Sequence, residues 1–185
     1  MNRVGLREPL IYLLEDFLTP AECRELIDLA DGIGFVDAPI TTPRGPKMRK
    51  DIRNNTRILH EDSALAETFY RRALPELVPT WTLRKPVGFN ELFRFYRYER
   101  GQRFAPHFDG AYERPTGARS EFTFLIYLNE DFGGGSTRFF NPEPISVQPR
   151  TGAALVFQHH QLHEGAEIAD GIKYVLRTDV MYGGD

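Results

Sequence analysis

Two side chains able to bind a metal, His107 and Asp109, stand two residues apart in the segment RFAPHFD, which has the composition of a β-strand. Successive side chains of a strand point to opposite faces, so residues two apart share a face. A third candidate, His163, lies at the end of another predicted strand. Two histidines and one carboxylate form the facial triad of non-haem Fe(II) oxygenases, which leaves coordination positions open. The spacing therefore predicts a metal site built from His107, Asp109 and His163.

The pattern also has less specific interpretations. A His-x-Asp pair alone fits a hydrogen-bonded histidine followed by an aspartate that begins a turn before Gly110. His159 and His160 lie close to His163, and the residues alone permit either of them as the second histidine ligand. His163 is preferred because the other two close the preceding predicted strand, AALVFQ. His60, in ILHED, is predicted to be a surface or capping histidine.

Lys173 lies inside an apolar strand pattern, GIKYVLRTDVMY. Burying an unpaired lysine is costly, so its ammonium group either reaches water or meets a carboxylate. Alternation separates a polar face from a better core face; the polar face carries Lys173, Val175, Arg177 and Asp179, and the core face carries Tyr174, Leu176, Thr178 and Val180. The polar face is predicted to border a cavity, where a dicarboxylate bound to the metal would also meet Lys173. An exposed edge strand with ordinary charges is the alternative.

The composition limits the kinds of site that the chain can form. Its 185 residues suffice for one domain with a substantial core. Cys23 is the only cysteine, which excludes an intramolecular disulfide, a cysteine-rich zinc module and an ordinarily ligated iron–sulfur cluster. Any metal ligands must therefore be His, Asp or Glu. With 26 acidic and 23 basic side chains, the net charge of −3 argues against a broad nucleic-acid-binding face.

The N-terminal segment MNRVGLREPLIYLLEDF contains a short apolar run bracketed by acidic residues and a proline. The run is too short to span a membrane, and no small-residue cleavage site follows it. We therefore expect a soluble, cytoplasmic protein with no membrane partner.

Helix signals precede strand signals along the chain. Thr19, Pro20 and Glu22 match a capping box with a proline in the first turn, which predicts a helix over about 20–31 that stops at the glycines at 32 and 34. A second helix is predicted over about 63–74. From Phe89 onward, short segments rich in Phe, Tyr, Val and Ile alternate with turn signals. This order favours a mainly β (α+β) fold, an antiparallel sandwich or barrel with helices on one side.

Two polar segments are predicted to cover the open side of the metal. The chain carries five basic residues and one acidic residue between Arg44 and Arg53, and the loop 110–120 adds Arg114 and Arg119. As lids these segments would favour an acidic or phosphorylated target, while a solvated basic loop is equally consistent. Three further polar residues are candidates for the same entrance: Asn54, Asn55 and Arg57.

Taken together, the motifs resemble those of one family. They are Tyr98-x-x-Gly101-Gln102-x-x-x-x-His107-x-Asp109, LIYLN at 125–129, GGGST at 133–137, His163, Lys173 ten residues later, and the N-terminal LEDFLTPAECRELI. This set resembles the Fe(II)/2-oxoglutarate dioxygenases of the prolyl 4-hydroxylase superfamily. The resemblance spans most of the chain and is weakest over residues 36–88.

The resemblance implies a double-stranded β-helix, or jelly-roll, in a single domain over residues 1–185. Residues 1–88 would form a helical support and a lid loop, and residues 89–185 the catalytic core. His107, Asp109 and His163 would bind Fe(II), and the family's spacing between the second histidine and the lysine favours His163. Lys173 would pair with the distal carboxylate of 2-oxoglutarate. Further residues around the cosubstrate would be Tyr98, Tyr127, Leu125 and Thr137, although core packing is an equal alternative for the two tyrosines.

Arg177 departs from the pattern of some relatives, which have a smaller residue at this place. It lies four residues beyond Lys173 on the same predicted face. Which of the two makes the main salt bridge to the cosubstrate stays open.

The implied activity is hydroxylation of a substrate with consumption of 2-oxoglutarate and O2 and release of succinate and CO2, with ascorbate keeping the iron reduced. The residues do not select among substrates, since fold does not fix substrate; peptidyl proline and small molecules are both candidates. A non-catalytic jelly-roll binding module and a zinc-dependent hydrolase are alternatives from other classes. Retention of all three ligands with Lys173 disfavours the first, and the lack of an evident general base beside the triad disfavours the second.

Overall fold

A computed structural model of the chain describes residues 1–42 and 44–184. Strands account for 46% of the residues and helices for 15%, which confirms the mainly β prediction. Two α-helices span Pro20–Ile33 (α1) and Ser63–Ala73 (α2), and a 3-10 turn follows at Leu74–Glu76. No helix in the described part of the chain is both long and apolar enough to cross a bilayer.

Seventeen strands occur in the described residues. In chain order they are Asn2–Arg7 (β1), Ile11–Glu15 (β2), Val36–Asp37 (β3), Ile40–Thr42 (β4), Gly45–Lys47 (β5), Thr56–Glu61 (β6), Lys85–Phe89 (β7), Leu92–Tyr98 (β8), Phe104–His107 (β9), Arg119–Tyr127 (β10), Gly133–Gly134 (β11), Thr137–Phe139 (β12), Ile145–Val147 (β13), Ala154–Gln158 (β14), His163–Gly165 (β15), Ile168–Asp170 (β16) and Lys173–Gly183 (β17).

The strands form two main antiparallel sheets. The larger has the order β1-β2-β14-β10-β17-β8-β6-β3, with β7 also paired to β17, and the smaller has the order β13-β12-β15-β9. Two short pairs, β4-β5 and β11-β16, stand apart. Residues 1–88 therefore supply strands β1, β2, β3, β6 and β7 of the larger sheet as well as the two helices.

The two faces of β17 separate two hydrophobic clusters. Leu176 and Val180 belong to a cluster that includes Phe69 of α2 and Leu26 of α1. Val175, on the other face, belongs to a cluster that holds residues of both sheets. In that second cluster Phe139 of the smaller sheet meets Phe157 of the larger with ring centroids 5.2 Å apart. The alternation predicted for β17 thus separates a core under the helices from a space between the sheets.

The ends of α1 follow the predicted signals in part. Thr19 Oγ1 accepts a hydrogen bond from the backbone N–H of Glu22, and the Glu22 carboxylate accepts from the backbone N–H of Thr19, which is the predicted capping box. The helix passes through Gly32 and ends at Ile33, so the predicted stop at Gly32 is wrong. Gly34 ends it instead, because its φ of 92° is a conformation that glycine adopts without a steric penalty.

The stretch between α1 and β6 has, in its described residues, more regular structure than a lid loop would. It contains β3, β4 and β5, and its last part lies beside β9. The carbonyl oxygen of Ile52 accepts a hydrogen bond of 2.8 Å from Ala105 N, and Arg53 forms an isolated bridge with Phe104. The end of the basic segment is therefore held against the strand that carries His107.

We predict that Gly152→Ala destabilises the protein more than Gly117→Ala. Both glycines have positive φ, 80° and 83°, so both substitutions pay about 1–2 kcal/mol of backbone strain. A Cβ at Gly152 would also lie 2.0 Å from the carbonyl oxygen of Leu18, next to the start of α1, whereas a Cβ at Gly117 meets nothing within 4 Å. Urea unfolding should show a loss at Gly152 that is larger by about 1–3 kcal/mol. Equal losses would show that this contact does not constrain the fold.

Candidate active site

The three predicted metal ligands come together in the structure. His107 ends β9 and His163 begins β15, and the two are direct partners in the register of these neighbouring strands. Asp109 follows two residues after β9. One ligand atom from each of the three side chains can be chosen so that all lie within 4.8 Å of one another. Nε2 of His107 lies 3.7 Å from Asp109 Oδ1, and Nε2 of His163 lies 3.8 Å from Asp109 Oδ2.

Both imidazoles are prepared to bind a metal through Nε2. Nδ1 of His107 lies 2.8 Å from the carbonyl oxygen of Ala105, and Nδ1 of His163 lies 2.9 Å from that of Gln161. A carbonyl oxygen only accepts, so each Nδ1 carries the proton and each Nε2 has a free lone pair. Burial, with the neighbouring His163, lowers the pKa of His107 to about 3, and burial also lowers the pKa of His163. Two neutral imidazoles and a carboxylate fit Fe(II) as a donor set.

Protein donors hold both oxygens of the Asp109 carboxylate. Thr123 Oγ1 donates to Oδ2 at 2.5 Å, and Arg177 Nη1 donates to Oδ1 at 2.7 Å. Burial raises the pKa of Asp109, but the charge of Arg177, together with His163, His107 and the hydrogen bond from Thr123, outweighs burial and holds that pKa well below its usual range. Asp109 is therefore ionised and oriented as a ligand must be.

A second buried carboxylate, Asp179, supports Arg177 from behind. Arg177 Nη2 donates to Asp179 Oδ1 at 3.0 Å, and Arg94 Nη1 lies 3.2 Å from Asp179 Oδ2. Arg177 thus bridges Asp109 and Asp179, and both Nη atoms of its guanidinium group donate to protein carboxylates. His159 lies on this side as well, with Nε2 3.6 Å from Asp179 Oδ1, while His160 is exposed. Neither of these histidines joins the triad.

Lys173 is buried, with 4% of its surface exposed, and has no carboxylate within 4.0 Å among the described residues. Its Nζ donates to the carbonyl oxygen of Gly135 at 2.6 Å and lies 5.6 Å and 5.4 Å from the ring centroids of Tyr98 and Tyr127. Burial lowers the pKa of Lys173 to about 7. A buried ammonium group without a counter-ion is suited to an anionic ligand.

The remaining predicted cosubstrate residues surround the same cavity. Tyr98, Leu125 and Thr137 line it together with Lys173 and the triad. Tyr127 lies one layer behind, where its hydroxyl group shares a 2.8 Å hydrogen bond with Thr137 Oγ1. The cavity therefore runs from the metal ligands to the buried lysine.

Sequence reasoning missed three lining residues: Tyr96, Phe104 and Gly165. Tyr96 could have been found, because strand alternation places it on the same face as Tyr98. Phe104 stacks on the His107 ring with centroids 3.6 Å apart, although the two residues lie three positions apart in β9, where regular alternation would place them on opposite faces.

The predicted lid residues are mostly engaged in structural contacts. Arg114 donates to Glu91 Oε1 at 2.5 Å and to the carbonyl oxygen of Phe89 at 2.9 Å. Asn54 Oδ1 accepts from Arg103 N at 2.8 Å. The other predicted lid and entrance residues are Arg119, Asn55 and Arg57. Arg119 lies 3.9 Å from Glu121, and Asn55 accepts a hydrogen bond from Arg53. Arg57 lies opposite Tyr96, which lines the cavity.

We predict that His163→Ala abolishes tight binding of a divalent metal and that His160→Ala does not. The first variant removes one of three ligands, which should weaken binding by at least about 100-fold. The second removes a neighbouring exposed imidazole outside the triad. Titration of the metal-free protein with Mn(II), followed by calorimetry, measures both. An equal loss in the two variants would contradict the assignment.

Comparison with known proteins agrees with this site. The sequence pattern of the 2OG-Fe(II) oxygenase superfamily, where 2OG is 2-oxoglutarate, matches residues 93–178, which include all three ligands and Lys173. Prolyl 4-hydroxylase 13 of Arabidopsis thaliana is 26% identical over 90% of this chain and 69% of its own length. A PKHD-type hydroxylase of Acaryochloris marina is 25% identical over 90% of this chain and 75% of its own length.

Solved structures show the same fold. A viral collagen prolyl hydroxylase from Paramecium Bursaria Chlorella virus-1 aligns with a TM-score of 0.66 over 96% of this chain and 99% of its own, at 18% identity. A prolyl hydroxylase of Trichoplax adhaerens aligns with a TM-score of 0.71 over 95% of this chain and 84% of its own, at 14% identity. The part of the chain that carries all three ligands and Lys173 therefore matches the 2OG-Fe(II) oxygenase superfamily, and the chain as a whole is similar in sequence and in fold to prolyl hydroxylases.

Proposed function

We propose that the protein hydroxylates its substrate while 2-oxoglutarate and O2 are consumed and succinate and CO2 are released. The observation that carries the proposal is the cavity that joins the buried triad of His107, Asp109 and His163 to the unpaired, buried Lys173. Bound Fe(II) supplies the redox chemistry that couples oxidation of 2-oxoglutarate to hydroxylation of the substrate. The chain's own residues bind, orient and shield the reactants.

Each residue of the cavity has a role in this proposal. Lys173 pairs with the distal carboxylate of 2-oxoglutarate, because Arg177 is already held by Asp109 and Asp179. Arg177 orients Asp109 and balances its charge. The apolar and hydroxyl-bearing walls, formed by Tyr98, Leu125, Thr137 and, behind them, Tyr127, exclude water from the cosubstrate chain.

The proposal extends to the architecture and the setting. The two antiparallel sheets, with the ligands on the smaller one, support a double-stranded β-helix in a single domain over residues 1–185, with α1 and α2 packed on the larger sheet. The chain's single cysteine, Cys23, is buried and free, which supports a reducing, intracellular setting where Fe(II) persists. The proposal includes ascorbate as the reductant that would keep the iron as Fe(II).

Peptidyl proline is the substrate that the relatives' names favour, since these include plant prolyl 4-hydroxylases and a viral collagen prolyl hydroxylase. Two exposed aromatic side chains near the ligands support an extended, partly apolar substrate. Phe108 stands between His107 and Asp109 and is 59% exposed, and Tyr112 is 44% exposed. Hydroxylation of a small molecule is the second candidate, because the basic side chains of Arg53 and Arg57 near the cavity suit a small acidic substrate as well.

The test is anaerobic loading with Fe(II) and 2-oxoglutarate, followed by addition of O2. We expect a weak visible charge-transfer band before O2 and succinate after it, and neither in His107→Ala or His163→Ala. Activity without O2 would indicate a zinc-type hydrolase instead. If the parent protein and both variants behave alike, with no succinate, the chain is a binding module and the proposal is wrong.

We predict that Lys173→Met raises the free energy of unfolding of the cosubstrate-free protein and abolishes 2-oxoglutarate binding. Burial lowers the pKa of Lys173 from 10.5 to about 7, so the folded state releases a proton that the unfolded state keeps between these values. The resulting cost is fully present below pH 7 and vanishes as the pH rises through 10.5. The gain from Lys173→Met, on the order of 1–3 kcal/mol, should therefore be largest near neutral pH and shrink toward pH 10.

The matched control is Lys85→Met, which alters an exposed lysine on β7 and should change stability by less than about 0.5 kcal/mol. Denaturant unfolding at several pH values measures both variants. A loss of stability in Lys173→Met at pH 7 would show that the ammonium group is already compensated in the free protein.

A further inference from the structure

Arg53 is the member of the basic segment that enters the protein interior. Its side chain is 5% exposed, and its guanidinium carbon lies 4.4 Å from the ring centroids of both Tyr96 and Phe104. These two rings line the cavity beside the metal ligands. Arg53 Nε donates to Asn55 Oδ1 at 2.7 Å, but Nη2 is buried and has no partner among the described residues. An unpaired buried donor is unfavourable and is relieved by an acceptor.

Arg57 faces the same space from β6. It pairs in register with Tyr96 of β8, so the two side chains share a face of the larger sheet. Among the described residues no carboxylate lies within 4.0 Å of the Arg57 guanidinium group, and it is partly exposed. Burial, with the like charges of Arg53 and Arg94, lowers the pKa of Arg57. Arg57 is therefore a second cation without a local counter-ion.

The other basic residues around this face are compensated. Arg94 and Arg177 are held by Asp179 and Asp109. Farther along the basic segment, Arg49 pairs with Asp51 at 2.6 Å and Lys50 pairs with Asp37 at 2.9 Å. Apart from Lys173 at the far end of the cavity, the described basic residues on this face that lack a carboxylate partner are Arg53 and Arg57.

The pKa of the Tyr96 phenol reflects the positive charges around it. Burial alone would raise the pKa of the Tyr96 phenol, yet that pKa lies below its usual value because the charges of Arg53, Arg177 and Arg94 outweigh burial. The charge of Arg53 therefore acts on a residue that lines the cavity.

We propose that Arg53 and Arg57 bind a carboxylate of the substrate, so that the enzyme selects substrates with an acidic group next to the position that is hydroxylated. A guanidinium group packed on aromatic rings presents N–H bonds in one plane, which matches the planar carboxylate. The inference rests on the proposed function and adds the substrate class to it. The carboxylate can come from an Asp or Glu side chain of a peptide or from a free amino acid.

The test measures binding under anaerobic conditions, with the protein loaded with Fe(II) and 2-oxoglutarate. The peptide probes are proline-centred peptides with Asp at one flanking position, each compared with the same peptide carrying Asn. The small-molecule probes are L-proline and L-prolinamide. Calorimetry gives the Kd of each acid and its amide, and the ratio of the two is the selectivity. Preference for the acid in one pair or the other identifies the source of the carboxylate.

We expect at least one acid to bind about tenfold more tightly than its amide, a difference of about 1.4 kcal/mol. Arg57→Gln should bring that ratio close to one and leave the Kd of the amide unchanged. Arg53→Gln should act in the same way. Arg100→Gln removes an equal charge from an exposed position outside the cavity and should leave the ratio intact. If Arg53→Gln fails to fold because the residue is buried, Arg57→Gln alone decides.

Selectivity absent from the parent protein, or unchanged in Arg57→Gln, would overturn the inference. The inference is also overturned if no acidic probe binds. Substrate-independent conversion of 2-oxoglutarate to succinate in O2 separates this outcome from failure of the proposed function. If succinate forms but no acid is preferred, only the carboxylate site is wrong; if none forms, the oxygenase proposal itself fails.

Discussion

Burying charge between two sheets is costly, and the arrangement of this protein's cavity follows from how each buried charge is compensated. Asp109 is balanced by Arg177, and Arg177 by Asp179, in a chain of contacts of 2.7 and 3.0 Å. Within the described parts of the chain, the hydrogen-bond partner of Lys173 is a single carbonyl oxygen, that of Gly135. The compensated charges orient Asp109, whereas the buried ammonium group of Lys173 is suited to an anionic ligand. In the proposed function, this anion is the distal carboxylate of 2-oxoglutarate.

The sheets position these charges through register. Arg177 lies opposite Leu125 on one side and Arg94 on the other, and Lys173 lies opposite Tyr98. A shift of one residue in β17 would turn all of them into the apolar core under the helices. The packing of Leu176 and Val180 into that core thus secures the polar face as well. Stability and site geometry depend on the same alternation.

The sequence predicted those features that depend on local pattern. The period of two in β17, the His-x-Asp spacing and the capping box at Thr19 all act over a few residues, and the structure shows each of them. It did not predict that Arg177 binds Asp109, because this contact joins residues 68 positions apart. Nor did it show that Arg53 packs over Tyr96 and Phe104, since that depends on how the basic segment lies against β9. Strands of two or three residues, such as β11, carry too little pattern to be predicted.

In the proposed function, the Lys173 amine is partly neutral in the free protein and becomes fully protonated when the carboxylate of 2-oxoglutarate binds. Because the pKa of Lys173 is about 7 in the free protein, binding of the anion at pH 8 should draw a proton onto the amine. Calorimetry of 2-oxoglutarate binding to the anaerobic Fe(II)-loaded protein, in buffers of different ionisation enthalpy, measures this uptake. We expect uptake of close to one proton per 2-oxoglutarate bound at pH 8 and of almost none at pH 6. Equal uptake at the two pH values, or none at either, would contradict it.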